Sequence, residues 1–401
     1  MEVLNNNSVE EKLNRMKIAI IDKVGSKAGI DHYDNSLLRG LIAAGDECYL
    51  YSNFDCDEPN VKYKKYFHNV GVGKLQSILS SFTGFFASMI HARFSGVQWL
   101  ILHIFSPNSF DLITLLVARL LGFKVLTIVH DIESLEFTTS PIIKNWVVDK
   151  LPNQRVVHNN FCKEEIAKII SEKSLQRTAI IPHVNFIQLF DKYHANEKIV
   201  DQIKSDEKIL NQLSPKITEA IKNGEEILLF FGQIKKAKGV DVLLKAAAQT
   251  KNNYKLIIAG KLRFEDWDKY ETIIKENKLE DKVIPVIRHI SDEERDVLFA
   301  ISKAVILPYR FIYQSGVLLM AMSFPKLVLA SDLSPNSDIV EDGKNGFLFK
   351  CKDVSHLAVK MDNLFSENYD KDSLLNNAMA DIERKNNPVL IGSKFHAVMN
   401  N

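Results

Sequence analysis

The chain has 401 residues, of which 46% are hydrophobic and 25% are charged. This length and apolar content suffice for two ordinary globular domains, each with its own core. The 51 basic and 50 acidic residues leave a formal net charge of +1. A general nucleic-acid-binding protein is normally clearly basic, so we expect no nucleic acid among the partners of this chain.

The cysteines and the first residues indicate a cytoplasmic protein. Cys48, Cys56, Cys162 and Cys351 are scattered, and no two of them have metal-ligand spacing. Four cysteines in a chain of this length do not make a disulfide scaffold. Residues 1–15 are polar and acidic, unlike a signal peptide, and are expected to be an N-terminal extension. Because no apolar run reaches the roughly 18–20 residues of a spanning helix, the sequence predicts a protein that is soluble or lies on a membrane surface.

Residues 16–187 alternate between short β-branched runs and segments with helical spacing. The runs predicted as strands are 17–22, 47–54, 97–105, 124–131, 154–159 and 177–184. Nearly continuous apolar runs suit strands that are buried on both faces of a parallel sheet. The alternation therefore predicts a doubly wound α/β domain with crossover helices.

A charged segment separates this domain from a second one. Residues 188–225 carry no strand pattern and predict solvated helices that join the two domains. The alternation restarts over residues 226–380, where Ser291 and Glu294 have the spacing of a helix capping box. Residues 381–401 are predicted to form a helix that crosses back to the first domain.

The loop after the first strand of the second domain has the composition of an anion site. It contains Gly232, Gln233, Lys235 and Lys238 and leads into a predicted helix. Ammonium groups, free amides and the helix dipole would attract an anion together at such a place. The alternative is a solvated loop that is basic by chance, and the spacing fits neither a P-loop nor a dinucleotide fingerprint.

A second candidate site follows the predicted strand at 304–309. Ser315 is a good helix N-cap, and Gly316 after it has no side chain to block a ligand. The amides of Gly316, Val317 and Leu318 would then face the cleft that is expected beyond the carboxyl ends of the strands. An ordinary capped helix is the simpler alternative.

Two candidates on the first domain would face the same cleft. His130 and Asp131 follow a predicted strand, where a histidine can orient a sugar hydroxyl, although a pair that caps a helix is equally consistent. Gly25 and Gly29 precede His32 in the first loop, where glycines let the backbone approach a ligand. A flexible turn between strand and helix is the alternative for this loop.

A Phe-rich helix predicted from Ser77 to Phe94 could touch a membrane surface. Aromatic residues beside basic ones suit a membrane interface, and a buried helix is the alternative. Between residues 60 and 130 a single acidic residue, Asp111, accompanies seven basic ones. The seven are Lys62, Lys64, Lys65, Lys74, Arg93, Arg119 and Lys124.

Several motifs together resemble those of a known enzyme family. In the second half these motifs are FFGQIKKAKGVDVLLKA, LIIAG, ILPYRFIYQSGVLLMAMSFPKLVLASD and DIVEDGKNGFLF, and in the first half KIAIID, GIDHYDNSLLRGLIAAG and TIVHD. In this order, over about residues 16–350, they resemble a GT-B glycosyltransferase of the retaining family-4 type, which includes lipopolysaccharide and capsule transferases. The resemblance implies two Rossmann-like domains that face a cleft. The N-terminal domain would bind the acceptor and the C-terminal domain a nucleotide-diphosphate sugar.

The resemblance also implies roles for particular residues. The donor diphosphate would lie against Lys238, with the second positive charge supplied by Lys235 because Gln233 stands where the family usually has arginine. The two family glutamates align with Ile312 and Met320, and neither is acidic. The implied donor-binding residues are Gly232, Gln233, Gln314, Ser315, Gly316, Val317 and, through a loose match, Asp338.

The resulting hypothesis is a retaining glycosyltransferase that acts on a glycan or lipid-linked acceptor in cell-surface polysaccharide or glycolipid synthesis. Lys235 and Lys238 would stabilise the departing diphosphate, and His130 would contact the reacting sugar or the acceptor. No metal or other cofactor is expected, and the protein would be cytoplasmic, at the inner face of the membrane. The alternative is a non-catalytic paralogue that supports another glycosyltransferase. A dehydrogenase is disfavoured because the first loop lacks the Gly-x-Gly-x-x-Gly fingerprint.

Overall fold

The computed structural model describes residues 15–25, 29–56, 58–67, 74–132, 140–194, 201–202, 205–366 and 368–401. Within these ranges two parallel β-sheets, of seven and six strands, each carry helices on their faces. Most of the central strand residues are fully buried, as their apolar sequences predict. The predicted fold class, two doubly wound Rossmann-like domains, is confirmed.

The first sheet has the strand order β3-β2-β1-β4-β5-β6-β7. Its strands are β1 Lys17–Ile21, β2 Glu47–Ser52, β3 Lys62–Lys65, β4 Trp99–Ile104, β5 Lys124–Val129, β6 Gln154–Val157 and β7 Thr178–Ile180. The helices around it are Ile30–Ala43, Lys74–Phe94, Ser109–Leu120, Pro141–Lys144 with a π-helical continuation Asn145–Lys150, Asn160–Ala167 and Glu172–Leu175.

The second sheet has the order β10-β9-β8-β11-β12-β13. Its strands are β8 Ile227–Phe231, β9 Lys255–Ala259, β10 Val283–Val286, β11 Ala304–Leu307, β12 Leu327–Ser331 and β13 Phe347–Phe349. Its helices are Glu207–Leu213, Pro215–Lys222, Val240–Ala247, Asp268–Glu276, Asp292–Ile301, Gly316–Ser323, Ser334–Ser337, Val354–Asn363 and Lys371–Asn386, with 3₁₀ turns at Ile187–Phe190 and Lys236–Lys238. A short helix Asp191–His194 follows the first of these turns, and the helix Pro388–Asn400 ends the chain.

The charged segment 188–225 packs more closely than its composition predicts. Leu210, Leu213 and Ile217 are buried in the core of the second domain. Leu210 and Leu213 lie three residues apart on the helix Glu207–Leu213, and Ile217 lies on the next helix, Pro215–Lys222, beyond the extended Ser214. These helices therefore belong to the second domain and are not a solvated connection.

The last helix lies on the first domain. Gly40 in the helix Ile30–Ala43 and Gly392 in the helix Pro388–Asn400 meet so closely that a Cβ on Gly392 would lie 2.0 Å from the Gly40 carbonyl carbon. His396 adds a buried contact, with its Nδ1 2.9 Å from an Asp46 carboxylate oxygen. The helix Pro388–Asn400 thus packs against the first domain although it follows the second domain in sequence.

Candidate functional site

The carboxyl ends of the two sheets meet across the domain boundary. The loop after β11 reaches the first domain, where Tyr313 is buried in that domain's core. Asn159 Nδ2 donates a hydrogen bond to the Tyr313 carbonyl over 2.7 Å, and Gln314 contacts His130 through their side chains. Since ligands bind beyond the carboxyl ends of such strands, this junction is the candidate site.

Glycines allow three loops of the second domain to pack against one another. Gly232 follows β8 with φ 118°, and a Cβ on Gly260 would lie 1.8 Å from the Gly232 carbonyl oxygen. A Cβ on Gly239, where φ is 69°, would lie 1.9 Å from the Pro308 carbonyl oxygen. Gln233 is half-buried beside Gly232. The loop after β8 is therefore held in position by close backbone contacts that only glycine permits.

Lys238 lies on the inner side of this loop. Its Nζ is 3.8 Å from the centre of the Tyr309 ring, a cation–π contact. Burial lowers the pKa of Lys238 to about 8, although the charge of Asp131 from the first domain acts in the opposite direction. Burial raises the pKa of Tyr309 to about 12, opposed by its Ser315 hydrogen bond and the charge of Lys235. The predicted residues Lys235, Lys238, Ser315 and Asp131 are thus neighbours, and we call them with Tyr309 the lysine corner.

The helix Gly316–Ser323 begins as the sequence predicts. Ser315 is its N-cap, and its hydroxyl accepts the Leu318 amide over 3.1 Å. That amide is consequently already used, so only those of Gly316 and Val317 are left for a ligand. A Cβ on Gly316 would lie 3.9 Å from His183 Nε2, which places the helix start against the first domain.

The two positions that align with family glutamates belong to the packing of the second domain. Met320 is 8% exposed and lies in the apolar core, and Ile312 is partly buried against the same core. Neither side chain offers an acceptor for a ribose hydroxyl. Any polar recognition here must come from neighbouring side chains such as that of Gln314.

His130 lies in a chain of hydrogen bonds that crosses the domain boundary. Its Nε2 is 2.8 Å from His103 Nδ1, and His103 Nε2 is 2.8 Å from Asp34 Oδ1. Its Nδ1 contacts the side-chain amide of Gln314. Burial, reinforced by His103, holds the pKa of His130 well below its usual range. His130 is therefore neutral and can accept or donate a hydrogen bond.

Two further histidines, His158 and His183, join His103 and His130 around the ring of Tyr33. His103, His130, His158 and His183 all lie with ring centres 4.7–5.8 Å from that of Tyr33. Burial lowers the pKa of His158 to about 3 and that of His183 to about 4. We call these five residues with Asp34 the histidine cluster.

Sequence reasoning singled out only His130 in this cluster. The available signal was that four neighbouring strands carry a histidine at or just beyond their carboxyl ends, at His103, His130, His158 and His183. Parallel strands bring such positions together at one edge of the sheet.

The first loop is organised around a buried carboxyl group. Asp22 accepts the amides of Val24 and Gly25, both over 2.7 Å, and burial raises its pKa to about 7. A Cβ on Gly25 would lie 2.3 Å from the Phe54 ring, so this glycine has a packing role. Gly29, at φ 72°, precedes the helix Ile30–Ala43. The residues between them, 26–28, lie outside the described part of the chain.

His32 and Asp338 lie away from the lysine corner. His32 Nε2 is 3.3 Å from Asp292 Oδ1 and 3.1 Å from an Arg295 nitrogen, so it bridges to the second domain. Asp338 follows the helix Ser334–Ser337 and is largely exposed, and partial desolvation together with the charge of Glu164 raises its pKa. The structure therefore does not bring these two predicted residues to the lysines.

The described residues contain no group of three or more His, Cys, Asp and Glu side chains arranged to hold a metal ion. Across the same residues, none of the helices has the length and apolar character needed to cross a membrane.

Comparison with known structures identifies the fold. The Anabaena protein Alr3699/HepE in complex with UDP-glucose has a TM-score of 0.71 at 16% identity, covering 96% of this chain and 100% of that one. A glycosyltransferase from Rickettsia africae has a TM-score of 0.70 at 15% identity, covering 97% and 100%. Sucrose-phosphate synthase from Thermosynechococcus elongatus has a TM-score of 0.69 at 16% identity, covering 96% and 98%.

Comparison of the sequence gives a match in the second half. No curated protein matches the chain. Residues 215–381 match the family model described as glycosyl transferases group 1. The chain therefore has the GT-B fold, and residues 215–381 are similar to the glycosyl transferases group 1 model.

Proposed function

We propose that this protein is a glycosyltransferase that moves a sugar from a nucleotide-diphosphate donor to a hydroxyl acceptor. The observation that carries the proposal is the lysine corner, which lies at the domain junction of a GT-B fold. Its residues other than Asp131 lie within the segment that matches the group 1 family model. Structural neighbours solved with UDP and with UDP-glucose make UDP-sugars the first donors to test.

The lysine corner supplies what a departing diphosphate requires. The half-buried Lys238 packs against Tyr309, and Lys235 lies near the same ring. The amides of Gly316 and Val317 open the helix that Ser315 caps. Ammonium groups and helix amides that are fixed before the reaction stabilise developing negative charge effectively, because little reorganisation is needed. We propose that this set binds the donor diphosphate without a metal ion.

We propose transfer with retention of configuration. The bond between the anomeric carbon and the phosphate oxygen breaks, and the acceptor hydroxyl adds to the same face of the sugar. The acceptor's proton passes to the leaving phosphate oxygen, so the products are the glycoside and a nucleoside diphosphate. Both nitrogens of the neutral His130 are bonded, to His103 and to Gln314, so its contact with the sugar would be a packing contact of the ring. This route needs no side-chain base, which makes Ile312 and Met320 tolerable at their positions.

We also propose that the acceptor is a glycan or a lipid-linked molecule reached at the inner face of a membrane, in polysaccharide or glycolipid synthesis. Two neighbouring helices of the first domain, Lys74–Phe94 and Ser109–Leu120, leave large apolar side chains in solvent. These are Ile78, Leu79, Phe86, Ile90, Phe94, Ile113, Leu116 and Leu120, which we call the apolar surface. Arg93 and Arg119 near the ends of the two helices suit anionic head groups.

The test of the proposed function is a donor screen followed by a product assay. Ligands that bind only the native state raise its melting temperature, so UDP-, GDP- and dTDP-sugars are compared by thermal shift. The donor that stabilises the protein is then incubated with lipid extract, and release of its nucleoside diphosphate is measured by chromatography. We expect one nucleotide series to bind and to turn over. If none binds, the proposed function is wrong.

One observation favours a second candidate, a non-catalytic partner of another glycosyltransferase. Ile312 and Met320 offer no carboxylate where the family has two, and Met320 is committed to the core. A partner of this kind would give no nucleoside diphosphate in the product assay and no binding in the screen. Lys238 opposes this candidate, because an ammonium group whose pKa is lowered by desolvation is costly to keep without a ligand.

A further inference from the structure

The hydrogen-bond chain from Asp34 to Gln314 permits two arrangements of its protons. In the first, each group donates toward Asp34: Gln314 Nε2–H to His130 Nδ1, His130 Nε2–H to His103 Nδ1, and His103 Nε2–H to Asp34 Oδ1. In the second, His103 carries both ring protons and donates to Asp34 and to His130. His130 must then accept at Nε2 and carry its own proton on Nδ1.

The second arrangement requires the amide of Gln314 to rotate. A proton on His130 Nδ1 needs an acceptor, which is the amide oxygen of Gln314 and not its nitrogen. The two ends of an amide are nearly equal in size, so a rotation of about 180° exchanges them at little steric cost. The end that does not face His130 then changes from a hydrogen-bond acceptor, Oε1, to a donor, Nε2–H.

The other end of that amide has no partner among the residues that the structure describes. Gln314 Oε1 is buried there without a hydrogen bond. It belongs to the residue before Ser315, the N-cap of the helix at the lysine corner. A buried polar atom without a partner costs about 1–3 kcal/mol, which makes this position a reasonable contact for a bound ligand.

We propose that Asp34 and His103 are positioning residues that fix the tautomer of His130 and thereby decide whether Gln314 donates or accepts a hydrogen bond at the donor site. The contact between Gln314 and the donor rests on the proposed function, whereas the control of the His130 tautomer by Asp34 and His103 does not. With His103 doubly protonated, Gln314 offers an N–H group, which suits a phosphate or hydroxyl oxygen of the nucleotide sugar.

The charges around His103 favour its doubly protonated form. Burial alone would lower the pKa of His103, but the carboxylate and hydrogen bond of Asp34, with the charge of Asp22, raise it above its usual range. His158 and His183 are neutral by burial and add no charge. The titratable groups that act on His103 and His130 are Asp22, Asp34, His158 and His183, and the Tyr33 ring packs against both imidazoles. Asp31 acts on Asp34.

The direction of the pH effect follows from this pair. Below the pKa of His103, Gln314 accepts a hydrogen bond from His130 and its other end offers an N–H donor to a ligand. As the pH rises through the pKa of His103, the Nδ1 proton of His103 is lost and the proton of His130 moves from Nδ1 to Nε2. Gln314 then donates to His130, and its other end offers an oxygen acceptor to a ligand. The tautomer of His130 should therefore change in the same titration as the protonation of His103, above the ordinary histidine value of roughly 6.5.

The test reads the ring nitrogens of the histidines by ¹⁵N NMR in the ligand-free protein across this pH range. Asp34→Asn keeps an acceptor for His103 but removes the charge, so we expect the joint titration to move to lower pH. The matched control is Asp46→Asn, which alters the buried Asp46–His396 pair near the start of β1 and β2. It should leave His103 and His130 unchanged.

The affinity for UDP-glucose at neutral pH tests the effect of Asp34 on donor binding. Asp34→Asn should weaken it about fivefold, the value of one hydrogen bond, and Asp46→Asn should not. If His130 keeps one tautomer while His103 titrates, or if Asp34→Asn does not move the titration, the inference is overturned. If the tautomers behave as expected but no nucleotide sugar binds, the positioning of His130 is supported and the proposed function is overturned.

Discussion

Lys238 is the residue whose chemistry can be read most directly from its surroundings. Its ammonium group lies against Tyr309, and burial lowers its pKa to about 8 with Asp131 acting against the shift. An ammonium group that is partly removed from water is less well stabilised by solvent, so an anionic ligand gains more from it than from a fully solvated lysine.

The pKa of Lys238 predicts how donor affinity depends on pH. Below about pH 8 the ammonium is charged and attracts the diphosphate, and as the pH rises through 8 that charge is lost. We therefore expect the dissociation constant of the donor to rise above pH 8, by at most about tenfold per pH unit. Calorimetric titrations from pH 6.5 to 9.5 measure this. Lys238→Met should remove the inflection near pH 8, and an unchanged inflection in that variant would assign it to another group.

At the residue scale the sequence predicted the lysine corner better than the histidine cluster. Lys235, Lys238 and Ser315 stand in loops that follow strands, where the local pattern already indicates an anion site. His103 sits inside a strand and His183 beyond a three-residue strand, so their meeting around Tyr33 depends on the strand order β4-β5-β6-β7. That order is a property of the folded sheet, which one sequence does not state.

At the scale of elements, the turn before the helix Val240–Ala247 determines where Lys238 lies. Gly239 has φ 69°, and a Cβ there would lie 1.9 Å from the Pro308 carbonyl oxygen, so the backbone would have to move. Gly343 has a similar φ of 77° but open space around it. Alanine at Gly343 would therefore introduce backbone strain alone, and alanine at Gly239 would introduce the same strain together with a steric clash.

We expect Gly343→Ala to cost about 1 kcal/mol of unfolding free energy, the price of a positive φ. Gly239→Ala should cost more, about 2–4 kcal/mol, and should also weaken donor binding because Lys238 is displaced. Urea unfolding and calorimetry measure the two effects. Equal losses of stability in the two variants would mean that the contact with Pro308 is easily relieved.

The apolar surface on the helices Lys74–Phe94 and Ser109–Leu120 predicts that the protein binds anionic membranes. Replacing Ile90 and Phe94 together by glutamate removes two exposed apolar groups and adds two charges that anionic lipids repel. Burial of one large apolar side chain contributes about 1.5–3 kcal/mol, so we expect flotation with anionic liposomes to fall at least about tenfold. The control is Val359→Glu, an exposed apolar residue of the second domain.

Wild-type protein that stays in the soluble fraction, with or without anionic lipid, would contradict membrane contact. Undiminished flotation of the double variant would place the contact elsewhere on the protein.

Most elements follow from the apolar pattern, and the exceptions have physical causes. The strand β3, Lys62–Lys65, was not predicted because three of its four residues are lysines at the exposed edge of the sheet. Edge strands of this kind are held by backbone pairing and need no apolar run. The helices within 188–225 were predicted, but their burial depends on a few apolar residues among many charged ones.

At the scale of the whole molecule, the last helix joins the two halves through the Gly40–Gly392 contact. Replacing Gly392 by leucine places a side chain where the Gly40 backbone lies, 2.0 Å from the new Cβ. We expect the helix Pro388–Asn400 to detach and to lose its protection from hydrogen exchange. Val389→Leu, at an exposed position of the same helix, is the control. Full protection of the helix in Gly392→Leu would show that the two helices can move apart without separating.

The central claim concerns the junction of the two domains, where the lysine corner would hold the donor diphosphate. Lys282 offers a matched comparison, because its Nζ lies 4.3 Å from the Tyr254 ring and burial lowers its pKa, but it precedes β10 at the opposite end of the sheet. Replacing either lysine by methionine keeps the apolar stem and removes the charge.

The most direct measurement is a calorimetric titration of wild type, Lys238→Met and Lys282→Met with the nucleotide sugar selected by the thermal-shift screen. We predict one saturable site in the wild type and in Lys282→Met, and an affinity at least about tenfold weaker in Lys238→Met, the loss of a charge-assisted hydrogen bond. Equal affinity in the wild type and in Lys238→Met would contradict the claim that this lysine binds the donor.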